Sequence, residues 1–82
     1  MATVVLPHDV ARVFADGVAE HHIEASDPRK LLNALDAQFP GIAERLNQGF
    51  ALAIDGEIFQ DWFLQDIAPG SEVYFIPAIE GG

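Results

Sequence analysis

The stretch from Ser26 to Gly41, SDPRKLLNALDAQFPG, decides the fold because it contains the clearest helix start and the clearest helix stop in the chain. Ser26 or Asp27 can accept hydrogen bonds from the first backbone N–H groups, and Pro28 suits a first helical position, which needs no donor. Large apolar residues then recur on one face at helical spacing: Leu31, Leu32, Leu35 and Phe39. Pro40-Gly41 ends the pattern. We therefore predict one amphipathic helix of about three turns.

The residues before this helix predict a hairpin of two strands. Residues 3–7 (TVVLP) are β-branched and apolar up to a proline, which is typical of a strand. A short helix is predicted over residues 9–15, with Asp9 as its N-cap. Its apolar stripe consists of Val10, Val13 and Phe14. Residues 18–24 then predict the second strand.

The residues after the main helix predict a second group of strands. Residues 42–46 add one helical turn, and residues 50–54 alternate large and small side chains, which indicates a strand with one buried face. Asp55-Gly56 predicts a tight turn into a short strand at residues 57–59. Residues 60–69 look irregular, and we expect either Trp62 or Phe63 in the core.

The last strand is predicted over residues 72–77. Side chains alternate between the two faces of a strand, so Val73 and Phe75 would point into the core while Tyr74 and Ile76 point outward. The order of two strands, a helix and two or three further strands predicts an α+β roll. Its mixed four- to five-stranded sheet would pack on one main helix plus short helices.

Composition limits the classes of function. The 82 residues suffice for one domain, half of them are hydrophobic, and cysteine is absent, which excludes disulfides and thiolate sites. The net charge of −9 disfavours nucleic acid and anionic membranes and suits a protein partner with a basic face. The N-terminus has no basic region typical of a signal peptide, so we expect a cytoplasmic protein.

The sequence indicates neither a metal site nor a catalytic centre. His21 and His22 are neighbours on a predicted strand and would point to opposite faces, while His8 lies far from both in the chain. Ser26 and Ser71 occupy predicted cap or turn positions, where serine hydroxyls commonly bond to backbone. We expect no bound cofactor and no catalytic residues of the chain's own.

The chain ends Ala78-Ile79-Glu80-Gly81-Gly82, directly after the last predicted strand. Two final glycines arise by chance in about 0.5% of chains, given the average glycine content. An expression scar or a frayed end is the alternative explanation. We predict a β-roll domain over residues 1–77 and a flexible C-terminal tail over residues 78–82.

Three segments, taken with the element order, resemble one known family. They are residues 39–46 (FPGIAERL), residues 69–73 (PGSEV) and residues 75–82 (FIPAIEGG). Together they are similar to the MoaD/ThiS family of β-grasp, ubiquitin-like sulfur carrier proteins, and the resemblance covers essentially the whole chain. Because of residues 40–46, the middle of the chain is more similar to the molybdopterin-synthase small subunit and the cysteine-synthesis carriers than to the shorter thiamine carriers.

The resemblance implies a chemistry for the chain end. An E1-like activating enzyme would use ATP and Mg to adenylate the Gly82 carboxylate, and sulfur would then convert it to a thiocarboxylate. The chain would donate that sulfur within a synthase that contains the acceptor subunit, most closely in molybdopterin-type biosynthesis. Gly81 and Gly82 would form the sulfur-carrying end, and the chain would act as a protein co-substrate.

A docking surface for these partners is predicted on the outward face of the sheet. Tyr74 and Ile76 would lie there, with Val5 and Ala53 on neighbouring strands, and Ile79 and Glu80 would extend the surface toward the glycines. A flat apolar patch is typical of a protein-binding surface, although ordinary surface apolarity is the alternative. The carboxylates of Asp55 and Glu80 would meet basic groups on the partner.

Two other functions fit the same sequence. A ubiquitin-like modifier would join Gly82 to lysines of target proteins through an isopeptide bond, sharing the adenylation step but ending with an amine. A pure interaction module would use the globular surface alone. The sequence does not separate these from a sulfur carrier.

Overall fold

The computed structural model describes residues 1–77 and contains three helices and five strands within that range. In chain order they are β1 (Ala2–Val5), α1 (His8–Phe14), β2 (Glu20–Ile23), α2 (Pro28–Gln38), α3 (Ile42–Leu46), β3 (Phe50–Ile54), β4 (Glu57–Phe59) and β5 (Glu72–Pro77).

The strands form one mixed sheet in the order β2-β1-β5-β3-β4. β1 and β5 run parallel, while the pairs β1–β2, β3–β5 and β3–β4 are antiparallel. The last strand in sequence is therefore the central strand of the sheet. This arrangement confirms the predicted α+β fold with a five-stranded mixed sheet.

The main helix, α2, begins and ends where its sequence signals lie. The backbone N–H of Lys30 donates to Asp27 Oδ1 at 2.8 Å, and Pro28 occupies the first turn. Leu31 and Leu35 are fully buried, and Phe39 packs half-buried against the core. The N-cap, the proline and the apolar stripe therefore all act as predicted.

The first helix differs from its prediction. It begins at His8 after Pro7, with no side-chain cap, so the expected N-cap role of Asp9 is wrong. Asp9 lies in the first turn and forms an exposed ion pair with Arg12, with Oδ1 and Nη2 3.7 Å apart. Val13 is 70% exposed because the side of α1 that carries Ala11, about 100° from Val10, faces the core, and Val13 lies on the other side of Val10.

The core lies between the helices and the sheet face turned toward them, which we call the inner face. Its fully buried members include Leu31, Leu35, Ile42 and Leu46 from the helices and Val4, Leu52 and Val73 from the strands. Trp62 also belongs to this core, whereas Phe63 is 39% exposed. The Trp62 indole N–H donates to the Phe50 carbonyl at 2.9 Å, and its ring packs edge-on against Phe75.

Strand β3 is covered on both faces. Ala51 and Ala53 are buried, as are Leu52 and Ile54, so the predicted single buried face is wrong. Cross-strand neighbours shield the two alanines on the other face: Ile76 lies opposite Ala51, and larger side chains flank Ala53 on both sides. Among the described residues the longest helix has 11 residues, and no helix there combines the length and apolarity that crossing a bilayer requires.

Candidate functional site

The sheet face turned away from the helices, the outer face, carries an apolar row at one register position. Tyr74 on β5 lies between Val5 on β1 and Ala53 on β3, and Ile58 on β4 follows Ala53. We call these four residues the outer row. The outer row crosses four of the five strands. Its Tyr74 lies on the central strand, which pairs with β1 on one side and with β3 on the other at this position.

Exposure along the outer row is uneven. Tyr74 is 45% exposed and Ile58 is 61% exposed, whereas Val5 and the neighbouring Ile76 are half-buried. The predicted outward orientation of Tyr74 and Ile76 is therefore confirmed, with Val73 and Phe75 buried on the inner face.

Ala53 lies on the predicted face but is only 7% exposed, so its predicted exposure is wrong. The flanking Tyr74 and Ile58 side chains are much longer than its single methyl group and cover it. Ala53 therefore forms a shallow depression in the outer row, between the longer side chains of Tyr74 and Ile58. The docking role of the row stays a prediction.

Ile58 was missed at the sequence level, although a signal for it exists. The two-residue turn at Asp55 and Gly56 places Ile54 opposite Glu57, and therefore Ala53 opposite Ile58. Two-residue hairpin turns fix the register of the strands they join. The turn alone thus assigns Ile58 to the face that carries Ala53.

The charges around the outer row are acidic. Glu20 lies opposite Val5 on the edge strand β2. Glu72 lies two residues before Tyr74 on β5 and therefore on the same face. All four basic residues of the chain lie on helices: Arg12 on α1, Arg29 and Lys30 on α2, and Arg45 on α3. The outer face is therefore apolar with an acidic rim, which complements a partner surface with an apolar centre and basic rim.

The carboxylate of Asp55 is held by hydrogen bonds within the chain. Asp55 Oδ1 accepts from the Glu72 backbone N–H at 2.9 Å, and Oδ2 accepts from the Ser71 hydroxyl at 2.8 Å. These bonds, the Glu72 N–H first, hold the pKa of Asp55 below its ordinary value. Both of its oxygens bond within the chain and join the β3–β4 turn to the start of β5, and the role of Asp55 toward a basic partner stays a prediction.

The predicted sulfur-carrying end lies outside the described residues. Strand β5 ends at Pro77, and the predicted site residues Ile79, Glu80, Gly81 and Gly82 all follow it. The described part of the chain thus ends with the last residue of the central strand, Pro77.

The histidines do not converge on a metal site. His21 lies opposite the buried Val4 and His22 opposite Thr3, so the two rings occupy opposite faces as predicted. The Nε2 atom of His21 lies 2.7 Å from the Val18 carbonyl. Over residues 1–77 no three histidine, aspartate or glutamate side chains come close enough together to ligate a metal ion.

The fold matches three solved structures. Mycobacterium tuberculosis CysO, described as an antigen, superposes with a TM-score of 0.84 at 21% identity, covering 96% of this chain and 100% of that one. A chain of the Amycolatopsis orientalis BexX/CysO complex gives 0.83 at 18% identity, covering 100% of both chains. SAMP1 from Haloferax volcanii gives 0.68 at 19% identity, covering 99% of this chain and 98% of that one.

These likenesses confirm the β-grasp fold. A comparison with curated protein sequences finds no significant match. The sequence profile of the ThiS family matches residues 11–82, which spans α1 to the final glycines. The chain therefore belongs to the ThiS family and has the ubiquitin-like sulfur carrier fold.

Proposed function

We propose that the chain is a sulfur carrier whose Gly82 carboxylate is adenylated by an E1-like partner with ATP and Mg and then converted to a thiocarboxylate. The thiocarboxylate donates its sulfur to an acceptor held by a second partner, a synthase subunit. Family membership over residues 11–82 supports this, because the matching region includes Gly81 and Gly82. The molybdopterin-type acceptor stays a prediction.

The carboxylate needs activation before it can accept sulfur. A C-terminal carboxyl has a pKa of about 3.5, so it is ionised at neutral pH and is a poor electrophile. Its oxygen attacks the α-phosphorus of ATP and releases pyrophosphate. A sulfide then attacks the acyl carbon, AMP leaves with the original oxygen, and the thiocarboxylate remains.

The position of β5 carries the proposal. β5 pairs with β1 over residues 72–74 and with β3 over residues 73–77, and its last residue, Pro77, directly precedes residues 78–82. A strand bonded on both edges is harder to detach than an edge strand. A partner can therefore hold residues 78–82 in its own active centre without peeling the sheet apart.

The terminal glycines would give access to the acyl group, and the outer row would supply binding energy. Without a Cβ, Gly81 and Gly82 do not crowd the attacking or leaving group. Ordering the tail in a partner costs about 1–2 kcal/mol of backbone entropy per residue. Burial of Tyr74, Ile76 and Ile58 against the partner would offset that cost, with Ile79 and Glu80 adding contacts beside the tail.

The partners are proposed from the surface and from the relatives. In the solved Amycolatopsis orientalis complex, CysO assembles with BexX. For this chain we propose an adenylating enzyme and a sulfur-acceptor subunit that share the outer face in turn. Each would present an apolar centre surrounded by basic groups. The chain itself supplies the acyl group and the docking surface, and the partners supply the catalytic groups.

Intact mass spectrometry tests this function. After incubation with ATP, Mg, an activating enzyme and sulfide, the chain is expected to gain about 16 Da, the replacement of one oxygen by sulfur. Gly82→Trp is expected to abolish the gain, whereas Leu64→Trp, at a site that is 83% exposed, is expected to load like the wild type. High-mass conjugates without the gain would instead support the protein-modifier alternative.

A further inference from the structure

A cleft of about 410 Å³ lies at the end of β5, beside the point where the tail begins. Its wall comes from three separate segments: Pro7 and Asp9 where β1 leads into α1, Arg45 and Phe50 where α3 leads into β3, and Pro77. The volume falls within the range of roughly 300–1,000 Å³ that ligand pockets occupy. The cleft is separate from the outer row, which shares none of these residues.

Arg45 is fixed on the wall of this cleft. Its guanidinium carbon lies 5.2 Å from the centre of the Phe50 ring, a cation–π distance. Stacking orients the planar guanidinium and leaves its N–H groups free to donate in a fork that matches a carboxylate. The arginine is exposed and therefore open to a partner.

The positive charge of Arg45 is not compensated inside the described part of the chain. Asp9, which also lines the cleft, is paired with Arg12. The other close approach of a basic and an acidic side chain within residues 1–77 is that of His22 and Glu20 on the sheet, so no described carboxylate pairs with Arg45. In a chain of net charge −9, the cleft therefore presents a positively charged side chain beside the start of the tail.

We propose that this cleft receives an acidic side chain of the activating enzyme. A protein that binds residues 78–82 comes near Pro77, which precedes them in the chain and lines the cleft. A carboxylate would pair with Arg45, and its methylene groups would pack on Phe50 and Pro7. The inference rests on the proposed function. The partner would then meet negative charge at the rim of the outer face and positive charge at Arg45. These two contacts of opposite sign would hold the partner in one orientation.

The test compares two arginines in similar surroundings. Arg29 on α2 also stacks on an aromatic ring, 5.9 Å from the centre of Phe63, and it too is exposed. Arg45→Glu and Arg29→Glu each lower the net charge by two from −9. Any difference between them therefore reflects position and not total charge.

The readout is ATP–pyrophosphate exchange with an adenylating enzyme that activates the wild-type chain. Arg45→Glu is expected to raise the KM for the carrier about tenfold, because it replaces an attraction by a repulsion. Arg29→Glu is expected to change it by less than about twofold, as for an exposed charge outside the interface. Arg45→Gln, which removes the charge but keeps a polar side chain, is expected to give an intermediate KM with an unchanged melting temperature.

Two results would overturn the inference. One is an equal KM for Arg45→Glu and Arg29→Glu. The other is loss of the Arg45→Glu effect in a Glu80→Gln background, which would assign Arg45 to the chain's own tail. If the wild-type chain supports no exchange with any adenylating enzyme, the proposed function itself fails, and the two failures are thus distinguishable.

Discussion

The two faces of the sheet are both apolar, yet they differ in what covers them. On the inner face, Leu52, Val73 and Phe75 are enclosed by the helices. On the outer face, Tyr74 and Ile58 are exposed on either side of the small Ala53, and no helix of residues 1–77 covers them. The apolar surface of the inner face is buried on folding, whereas part of the apolar surface of the outer face stays exposed.

Because of this difference, apolar residues on the inner face are tested by stability measurements and those on the outer face by binding measurements. A substitution on the inner face is expected to lower the free energy of unfolding and to affect sulfur loading only through unfolding. A substitution on the outer face is expected to weaken partner binding in a chain that still folds.

The largest expected effect concerns two isoleucines on the β3–β4 hairpin. Ile54 is 8% exposed on the inner face and Ile58 is 61% exposed in the outer row. Ile54→Ala is expected to lower the free energy of unfolding by about 2–4 kcal/mol through the cavity it leaves. Ile58→Ala is expected to cost about 0.5 kcal/mol or less. Urea denaturation measures both, and equal losses would erase the distinction between the faces.

A smaller effect is expected for binding. Ile76→Asp places a charge beside the outer row and is expected to weaken affinity for the activating enzyme at least tenfold, about 1.4 kcal/mol. Val13→Asp is the control, because Val13 is 70% exposed on α1, on the helix side of the molecule. Calorimetric titration of both variants measures the affinities. Equal affinities would show that the docking face is misplaced.

The smallest effect concerns pH. Because the folded pKa of Asp55 is lowered, its carboxylate stabilises the fold above the ordinary value of 3.8, and that stability is lost as the pH falls through the lowered folded pKa. Asp55→Asn tolerates the positive φ of 51° at this turn. The difference in unfolding free energy between wild type and variant is therefore expected to shrink below pH 3.8. A constant difference across that range contradicts the assignment.

Local signals predicted the elements that depend on local chemistry. Asp27 and Pro28 mark the start of α2, and the alternation around Val73 and Phe75 assigns the two faces of β5. Capping and alternation act between residues close in the chain, so one sequence suffices to find them. The β-grasp topology came from the order of such elements together with the family resemblance.

Features that depend on packing between distant segments could not be predicted. Val13 and Ala11 lie on opposite sides of Val10 on α1, and only the orientation of the helix decides which of them faces the core. Ala53 is covered by Tyr74 on β5 and Ile58 on β4, so its burial depends on the pairing of two neighbouring strands. The cleft around Arg45 needs three segments that meet only after folding.

Tandem mass spectrometry of the chain after sulfur loading tests the carrier function most directly. The gain of about 16 Da is expected only in fragments that contain Gly82, because the thiocarboxylate replaces the terminal carboxylate. Fragments that stop at Pro77 should keep their unmodified mass. A Gly82 carboxylate that gains no sulfur, although the activating enzyme adenylates it, would contradict the proposed function.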